Sequence, residues 1–281
     1  MSAERLAPGV WRVAVRTPTV PPATHTWCYL VGESALTVFD PASPYPEEQD
    51  HLFASITALG LPVERIVLTH HHADHVGGAC ALQSRLGPQA NVPIWSHHAT
   101  AARVSEQGIV VNQTWAGEPE LLCGGLSLRV MHTPGHAPGH LVFLEPTSGL
   151  CIAGDMVAGV GTVVILPQDG TLEEYLDSLE RMRALGASAL LPSHGPLLEP
   201  AEDALVRYIA HRETRTQQVR SAVADHGPCR AIDLVPVVYP ELRADLAMFG
   251  MLQITTHLFA LERQRDVCRR GEPTDPEWVA V

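Results

Sequence analysis

The chain has 281 residues, 46% of them hydrophobic, and a formal net charge of −12, enough apolar material for one large domain or one domain with an appendage. The acidic balance disfavours broad electrostatic capture of nucleic acid, and all 19 basic side chains are arginine, which excludes lysine nucleophiles and Schiff-base chemistry. Apolar runs fall short of the roughly 18–20 residues of a membrane span, residues 1–9 do not read as a signal peptide, and six scattered cysteines with no C-x-x-C pair read as reduced thiols of a cytoplasmic protein.

Trp11, Val13 and Val15 alternate with more polar neighbours, as a half-buried strand should. Residues 27–31 and 35–39 are two apolar runs separated by Gly32, Glu33 and Ser34, a hairpin pattern. Leu52, Phe53, Ile56 and Leu59 recur at helical spacing before Gly60 and Pro62. Residues 65–69 read as a buried strand, 79–86 as a helix, 92–95 as a strand, and a short helix starts near His98. Strands are expected at 126–130, 141–144, 150–153 and 160–165. Thr171 and Glu174 form a capping box for a helix that carries Leu172, Tyr175, Leu176, Leu179 and Met182 on one face and stops at Gly186. A last short strand at 189–191 precedes Ser193-His194-Gly195, and 196–200 reads as a joint. Beyond it the pattern is helical over 201–225, 231–238 and 244–261. Two sheets with helices outside fit this order better than a doubly wound parallel sheet, with a division into residues 1–198 and 199–281.

Between the strand at 65–69 and the helix at 79–86 stands His70-His71-His72-Ala73-Asp74-His75. His70 and His72 are two apart and point the same way in extended backbone, while Asp74 and His75 can reach a second centre. A single structural zinc is closed by four ligands, mostly Cys and His; the excess of His and Asp here favours a two-metal catalyst over a structural ion or a chance cluster. His136, Asp155 and His194 each follow an apolar strand and can gather at the same edge. His71 is expected to point away from the metals, His132 and His140 to be structural more readily than ligating, and His97 and His98 to begin a helix.

Thr69-His70 through His75, the Pro134-Gly135-His136 turn, Gly154-Asp155 and Ser193-His194-Gly195 stand in the order and spacing of the metallo-β-lactamase fold superfamily, which the chain resembles over residues 10–200. The resemblance implies an α/β (α+β) protein, an αββα sandwich with a dinuclear site. His70, His72 and His136 would hold the first metal and Asp74, His75 and His194 the second, with Asp155 bridging and Asp40 in support. Two ions about 3.5–4 Å apart can share a water and bring its pKa toward neutrality, with Asp74 both ligand and base. Imidazole and carboxylate ligands suit zinc, and iron or manganese as well.

Softer likenesses over 159–162, 175–180, 208–218, 238–240 and 256–261 point to the lactamase-like branch with a winged-helix-like C-terminal tail. The wing after Leu261 reads as degenerate, charged over 262–270 and then carrying Pro273, Pro276 and Trp278, and Trp27 stands where the branch commonly has Asn. That branch acts on single-stranded RNA or on carrier-bound acyl thioesters. The expectation is a cytoplasmic hydrolase of small-molecule or carrier-linked esters and thioesters, with no membrane partner. An endoribonuclease is the alternative, resting on Arg207, Arg212, Arg215 and Arg220. A glyoxalase II-like hydrolase is disfavoured by the absent lysines, and a non-catalytic binding protein by seven intact ligands. A homodimer formed through tail or sandwich is compatible with the sequence. The loops at 105–118 and 161–170 are expected to set pocket width.

Overall fold

In a computed structural model describing residues 3–272 and 276–281, strand alternation sorts side chains between three apolar clusters. The first sheet contains β1 (Glu4–Ala7), β2 (Val10–Arg16), β3 (His25–Val31) and β4 (Leu36–Phe39); helix α1 (Pro46–Ala58) then leads to β5 (Val63–Val67). The short α2 (Ala73–Val76) and α3 (Ala79–Leu86) precede β6 (Ile94–His97), which α4 (His98–Ser105) links to β7 (Gln113–Trp115). The second sheet contains β8 (Glu120–Cys123), β9 (Leu126–His132), β10 (Leu141–Glu145) and β11 (Leu150–Gly154), then, after α5 (Leu172–Ala184), β12 (Ala189–Pro192). The sheets run in the orders β1-β2-β3-β4-β5-β6-β7 and β12-β11-β10-β9-β8.

Because successive strand residues face opposite ways, Cys28 and Leu30 of β3 enter a layer beneath α1 and α3, while Tyr29 and Val31 face the second sheet. Likewise Val142 and Leu144 of β10 pack outward under α5, and Leu141 and Phe143 inward. Phe39 and Phe143 meet across the sandwich with ring centroids 4.8 Å apart. The result is helix, sheet, sheet, helix. Thr171 caps α5 by accepting a hydrogen bond from Glu174 N at 3.2 Å.

The edge that gathers the candidate ligands follows from strand direction. β4, β5, β6 and β7 are mutually parallel, as are β11 and β12. Their C-terminal ends release Asp40, the 70–75 segment, Asp155 and His194 at one side of the molecule. Residues 160–165 form no strand, contrary to the sequence expectation. Of their β-branched side chains Val163 and Ile165 are buried and Thr162 is exposed, and no described strand pairs with them.

The C-terminal part starts with α6 (Ala201–His226), continues through α7 (Val235–Val238) and α8 (Ala247–Arg263), and is not wholly helical. β13 (Val267–Arg270) and β14 (Glu277–Ala280) pair antiparallel, so the stretch read as degenerate forms a two-stranded sheet; Pro273 lies outside the described residues. α6 serves two clusters, with Ala201, Ala204 and Leu205 under the second sheet and Val219, Ala222 and Val223 against α8 and Trp278. Residues Ala244–Arg263 reach the length and hydropathy of a membrane span, more than the sequence reading allowed. Their buried face includes Gln253, Thr256 and His257, and Ile254, Leu258 and Leu261 pack against α6, as in a core helix. All six cysteines are free.

Trp278 is 1% exposed and closes the C-terminal cluster. Trp278→Ala is expected to lower stability by about 3–5 kcal/mol, measured by denaturant unfolding; a loss under about 1 kcal/mol would show that the β13–β14 sheet is not part of this core.

Candidate metal centre

Asp40, one residue past β4, adopts φ 48°, a left-handed conformation that a short polar side chain tolerates. Its buried carboxylate accepts hydrogen bonds from Thr69 N at 2.8 Å, Thr69 Oγ1 at 2.6 Å and His75 Nδ1 at 2.9 Å. Thr69 Oγ1, its proton given to Asp40, accepts from His70 Nδ1 at 3.0 Å. One carboxylate thereby orients two imidazoles and leaves Nε2 of each facing the cleft.

His70 Nε2, His72 Nδ1 and His136 Nε2 lie 3.1, 3.0 and 3.2 Å apart pairwise. The second nitrogen of each ring is already a donor: His70 to Thr69, His136 Nδ1 to Val164 O at 2.7 Å, and His72 Nε2 to Asp169 Oδ2 at 3.2 Å. Three lone pairs therefore face one point with no proton between them. A tetrahedral cation with bonds of about 2.0–2.1 Å spaces its ligands roughly 3.3 Å apart, so the triangle suits a cation with small adjustment. Burial, reinforced by neighbouring imidazoles, holds His70 well below the usual histidine range and brings His136 down to about 3. Both rings are neutral, as metal binding requires.

The second group is Asp74, His75 and His194. His194 donates Nδ1–H to His25 O at 3.0 Å, and its Nε2 lies 3.5 Å from Asp74 Oδ2 and 3.5 Å from Asp155 Oδ1. His75 Nε2 is 3.5 Å from Asp155 Oδ2, which is also 3.7 Å from His136 Nε2. Asp155 thus stands between the two groups. His75 Nε2 and Asp155 Oδ1 are buried without hydrogen-bond partners, polar atoms that a cation would satisfy. Burial opposes charge on both, but Asp155 and Asp74 push His75 well above its usual range, and His194 and His75 hold Asp155 well below the carboxylate range. Two carboxylates and two imidazoles in one buried space call for positive charge there, whether as protons or as a cation.

His140 is not among the converging groups. Its Nδ1 donates to Thr133 Oγ1 at 2.8 Å and its Nε2 accepts the Asp155 N–H at 3.1 Å, so it positions the backbone of Asp155. Gly154, at φ 52°, is required here because a Cβ would come within 2.4 Å of His140 Nε2. His132 donates to Pro138 O at 2.8 Å and stacks on His97 at 4.1 Å, a structural role, and His97 caps α4. His71 turns from the triangle toward Asp169, 3.5 Å away. The sequence reading missed Asp169. It is 6% exposed, is held by Arg103 Nη1 at 2.8 Å and orients His72 as Asp40 orients His75. Its only sequence signal is an acid in a Gly-flanked loop ahead of the capping box.

A cavity of about 390 Å³ opens on the site. His72, Asp74, His136, Asp155 and His194 reach it, while the rest of the lining is largely apolar: the 18–23 and 158–166 segments, and Tyr239, Leu242, Leu246 and Phe249 from the C-terminal part. The 161–170 loop contributes as expected, but residues 105–118 do not line it. Trp27 is not among the lining residues; it donates to Gly195 O at 2.7 Å, one residue past the lining residue His194.

Asp169→Ala is expected to weaken divalent-cation binding by about 10–100-fold, read by chelator competition with the folded protein. Unchanged affinity would show that His72 needs no such support.

Residues 21–194 match the family model of the Metallo-beta-lactamase superfamily. A beta-lactamase-like protein 2 homolog of Caenorhabditis elegans is 27% identical over 240 residues, covering 85% of this chain and 79% of that one. An atrochrysone carboxyl ACP thioesterase of Aspergillus fumigatus is 28% identical over 291 residues, 98% of this chain and 88% of the other. A crystal structure of a metallo-beta-lactamase family protein from Thermus thermophilus superposes with a TM-score of 0.82 at 23% identity, over 99% of this chain and 100% of that chain.

Proposed function

The chain belongs to the metallo-beta-lactamase superfamily, and we propose that it is a dinuclear, zinc-dependent hydrolase of acyl thioesters or esters whose acyl group is apolar. In this reading residues 1–198 form the catalytic domain and residues 199–281 complete the substrate pocket. The observation that carries it is the cavity. Residues of both clusters line it, its walls are otherwise mainly aliphatic and aromatic, and no arginine lines it among the described residues. An apolar acyl chain gains about 25 cal/mol per Å² on burial against such walls, whereas a phosphodiester backbone running along them would find no basic side chain beyond the cation site itself. The thioesterase relative, whose name specifies a carrier-protein thioester, supports the same class of substrate.

The arginines behind the RNA alternative are mostly occupied elsewhere. Arg212 is buried and donates to Val163 O at 2.6 Å, Arg215 stacks on Tyr239 and donates to Val238 O, and Arg220 pairs with Asp266 at 2.8 Å. Arg207 is exposed and isolated from the cavity lining.

His70, His72 and His136 would hold one cation, Asp74, His75 and His194 the other, and Asp155 would touch both. Two divalent cations held there would acidify a water and polarise the acyl carbonyl. The chain supplies the rest. The apolar walls orient the acyl chain and exclude bulk water, and Asp74, open to the cavity and 3.5 Å from His194, is placed to accept a proton from the attacking water. Hydrolysis then joins the water oxygen to the acyl carbon, breaks the C–S bond and returns the proton to the departing thiolate.

Zinc-loaded protein should release thiol from a medium-chain acyl-N-acetylcysteamine thioester, and Asp74→Ala should lose about 100-fold or more of that rate. Metal-dependent cleavage of end-labelled single-stranded RNA, with the thioester left intact, would overturn the proposal in favour of a nuclease. Phe249→Asp should raise KM at least about tenfold for long acyl chains and little for an acetyl thioester; equal effects on both would remove the acyl chain from this wall.

A further inference from the structure

Three consecutive carbonyls in the 158–166 segment are each held by a different part of the molecule. Val163 O accepts from Arg212 Nη2 at 2.6 Å, Val164 O from His136 Nδ1 at 2.7 Å, and Ile165 O from Gln253 Nε2 at 2.9 Å and Thr256 Oγ1 at 2.8 Å. Arg212 lies on α6, and Gln253 and Thr256 lie on α8. Arg212 Nη1 also reaches Gln253 Oε1 at 3.2 Å, which joins the two helices through one buried polar link. The guanidinium belongs to a residue 2% exposed and sits 5.0 Å over the Tyr175 ring. Tyr175 in turn donates to Met156 O at 2.7 Å, and Tyr208 of α6 bonds both N and O of Ala158, at 2.8 and 2.6 Å.

A segment without strand partners has nothing in its own backbone to fix its carbonyls. Here α6 and α8 take that role, and the carbonyl between their two attachment points is the one that sets the tautomer and tilt of His136. His70 and His75 lean on Asp40, and His72 on Asp169. His194 and His136 lean on peptide oxygens, His25 O and Val164 O, and of the two only Val164 O stands between carbonyls held by the C-terminal helices.

We propose that Arg212 and Gln253 are positioning residues for the metal centre: by clamping the carbonyls of Val163 and Ile165 they hold Val164 O under His136, so that cation binding depends on the C-terminal helices. This rests on the metal-centre reading above, and the test separates the two. Zn2+ affinity is measured by competition with a chromophoric chelator, and the Co2+ absorption spectrum is recorded, for the full-length chain and for Arg212→Met, Arg212→Lys, Gln253→Met and Thr256→Val, all without substrate.

Arg212→Met and Gln253→Met are expected to keep a cooperative melt and yet lose about 10–100-fold in affinity for one of two cations, with an altered Co2+ spectrum. Arg212→Lys, which keeps a donor toward Val163 O, should recover most of that loss. A purely structural role would lower the melting temperature and leave the affinity and spectrum of the folded protein unchanged; that result overturns the inference. Should Arg212→Met fail to fold, Gln253→Met and Thr256→Val decide by the same readings. An unaltered chain that binds no cation would overturn the metal centre itself, and the clamp with it.

Discussion

The buried carboxylate of Asp40 is the constraint from which the rest of the site is built. It carries three hydrogen bonds, two from Thr69 and one from His75, and acts on His70 through the Thr69 hydroxyl. Hydrogen bonds to an ionised acceptor are about twice as strong as neutral ones, and two of these also select a tautomer, that of His75 directly and that of His70 through Thr69 Oγ1. Without it, His70 and His75 could rotate or exchange protons between ring nitrogens, and the converging lone pairs would be lost. The backbone contributes as well. A left-handed residue directly after β4 aims the carboxylate at Thr69, two residues past the end of the neighbouring β5.

Strand direction does at larger scale what Asp40 does locally. Parallel pairing of β4 with β5 and of β11 with β12 puts chain exits on one edge, the place where open α/β sheets generally bind ligands. Asp155 and His194 leave one sheet there, and Asp40 and the 70–75 segment leave the other. The apolar layer shared by the sheets, with Phe39 against Phe143 at 4.8 Å, sets their separation. Side chains from two sheets can therefore meet at close range without any of them being long.

Support then passes outward in pairs: Asp40 behind His75, Asp169 behind His72, His140 behind the Asp155 backbone, His25 O behind His194 and Val164 O behind His136. Only the last depends on α6 and α8; α6 also supplies Tyr208 to Ala158, and α8 lines the cavity with Phe249, Gly250 and Gln253 beside Tyr239, Leu242 and Leu246. The C-terminal helices are thus continuous with the site in both its polar and its apolar parts. Burying Arg212, Gln253, Thr256 and His257 at that junction is a cost that only such hydrogen bonding offsets.

The sequence by itself determined the elements with strong local periodicity and the residues able to bind metal. Alternation in β2 and β9, the apolar runs of β3 and β4, the helical face of α5 with its Thr171 cap, and the His and Asp residues at strand ends are local signals, and each survives folding because the same local rule operates in the sandwich. Tertiary structure alone decided where local chemistry left two outcomes. Residues 160–165 have the β-branched content of a strand, but side chains of α6 and α8 take their carbonyls before any strand can. Residues 267–270 and 277–280 look too charged and proline-flanked for a sheet, yet Trp278 gains burial by pairing them. Asp169 is an unmarked loop acid until folding brings it 3.2 Å from His72, 97 residues earlier in the chain. Cavity walls drawn from residues 18–23, 158–166 and 239–253 are fixed by packing between segments distant in sequence, which no periodicity records.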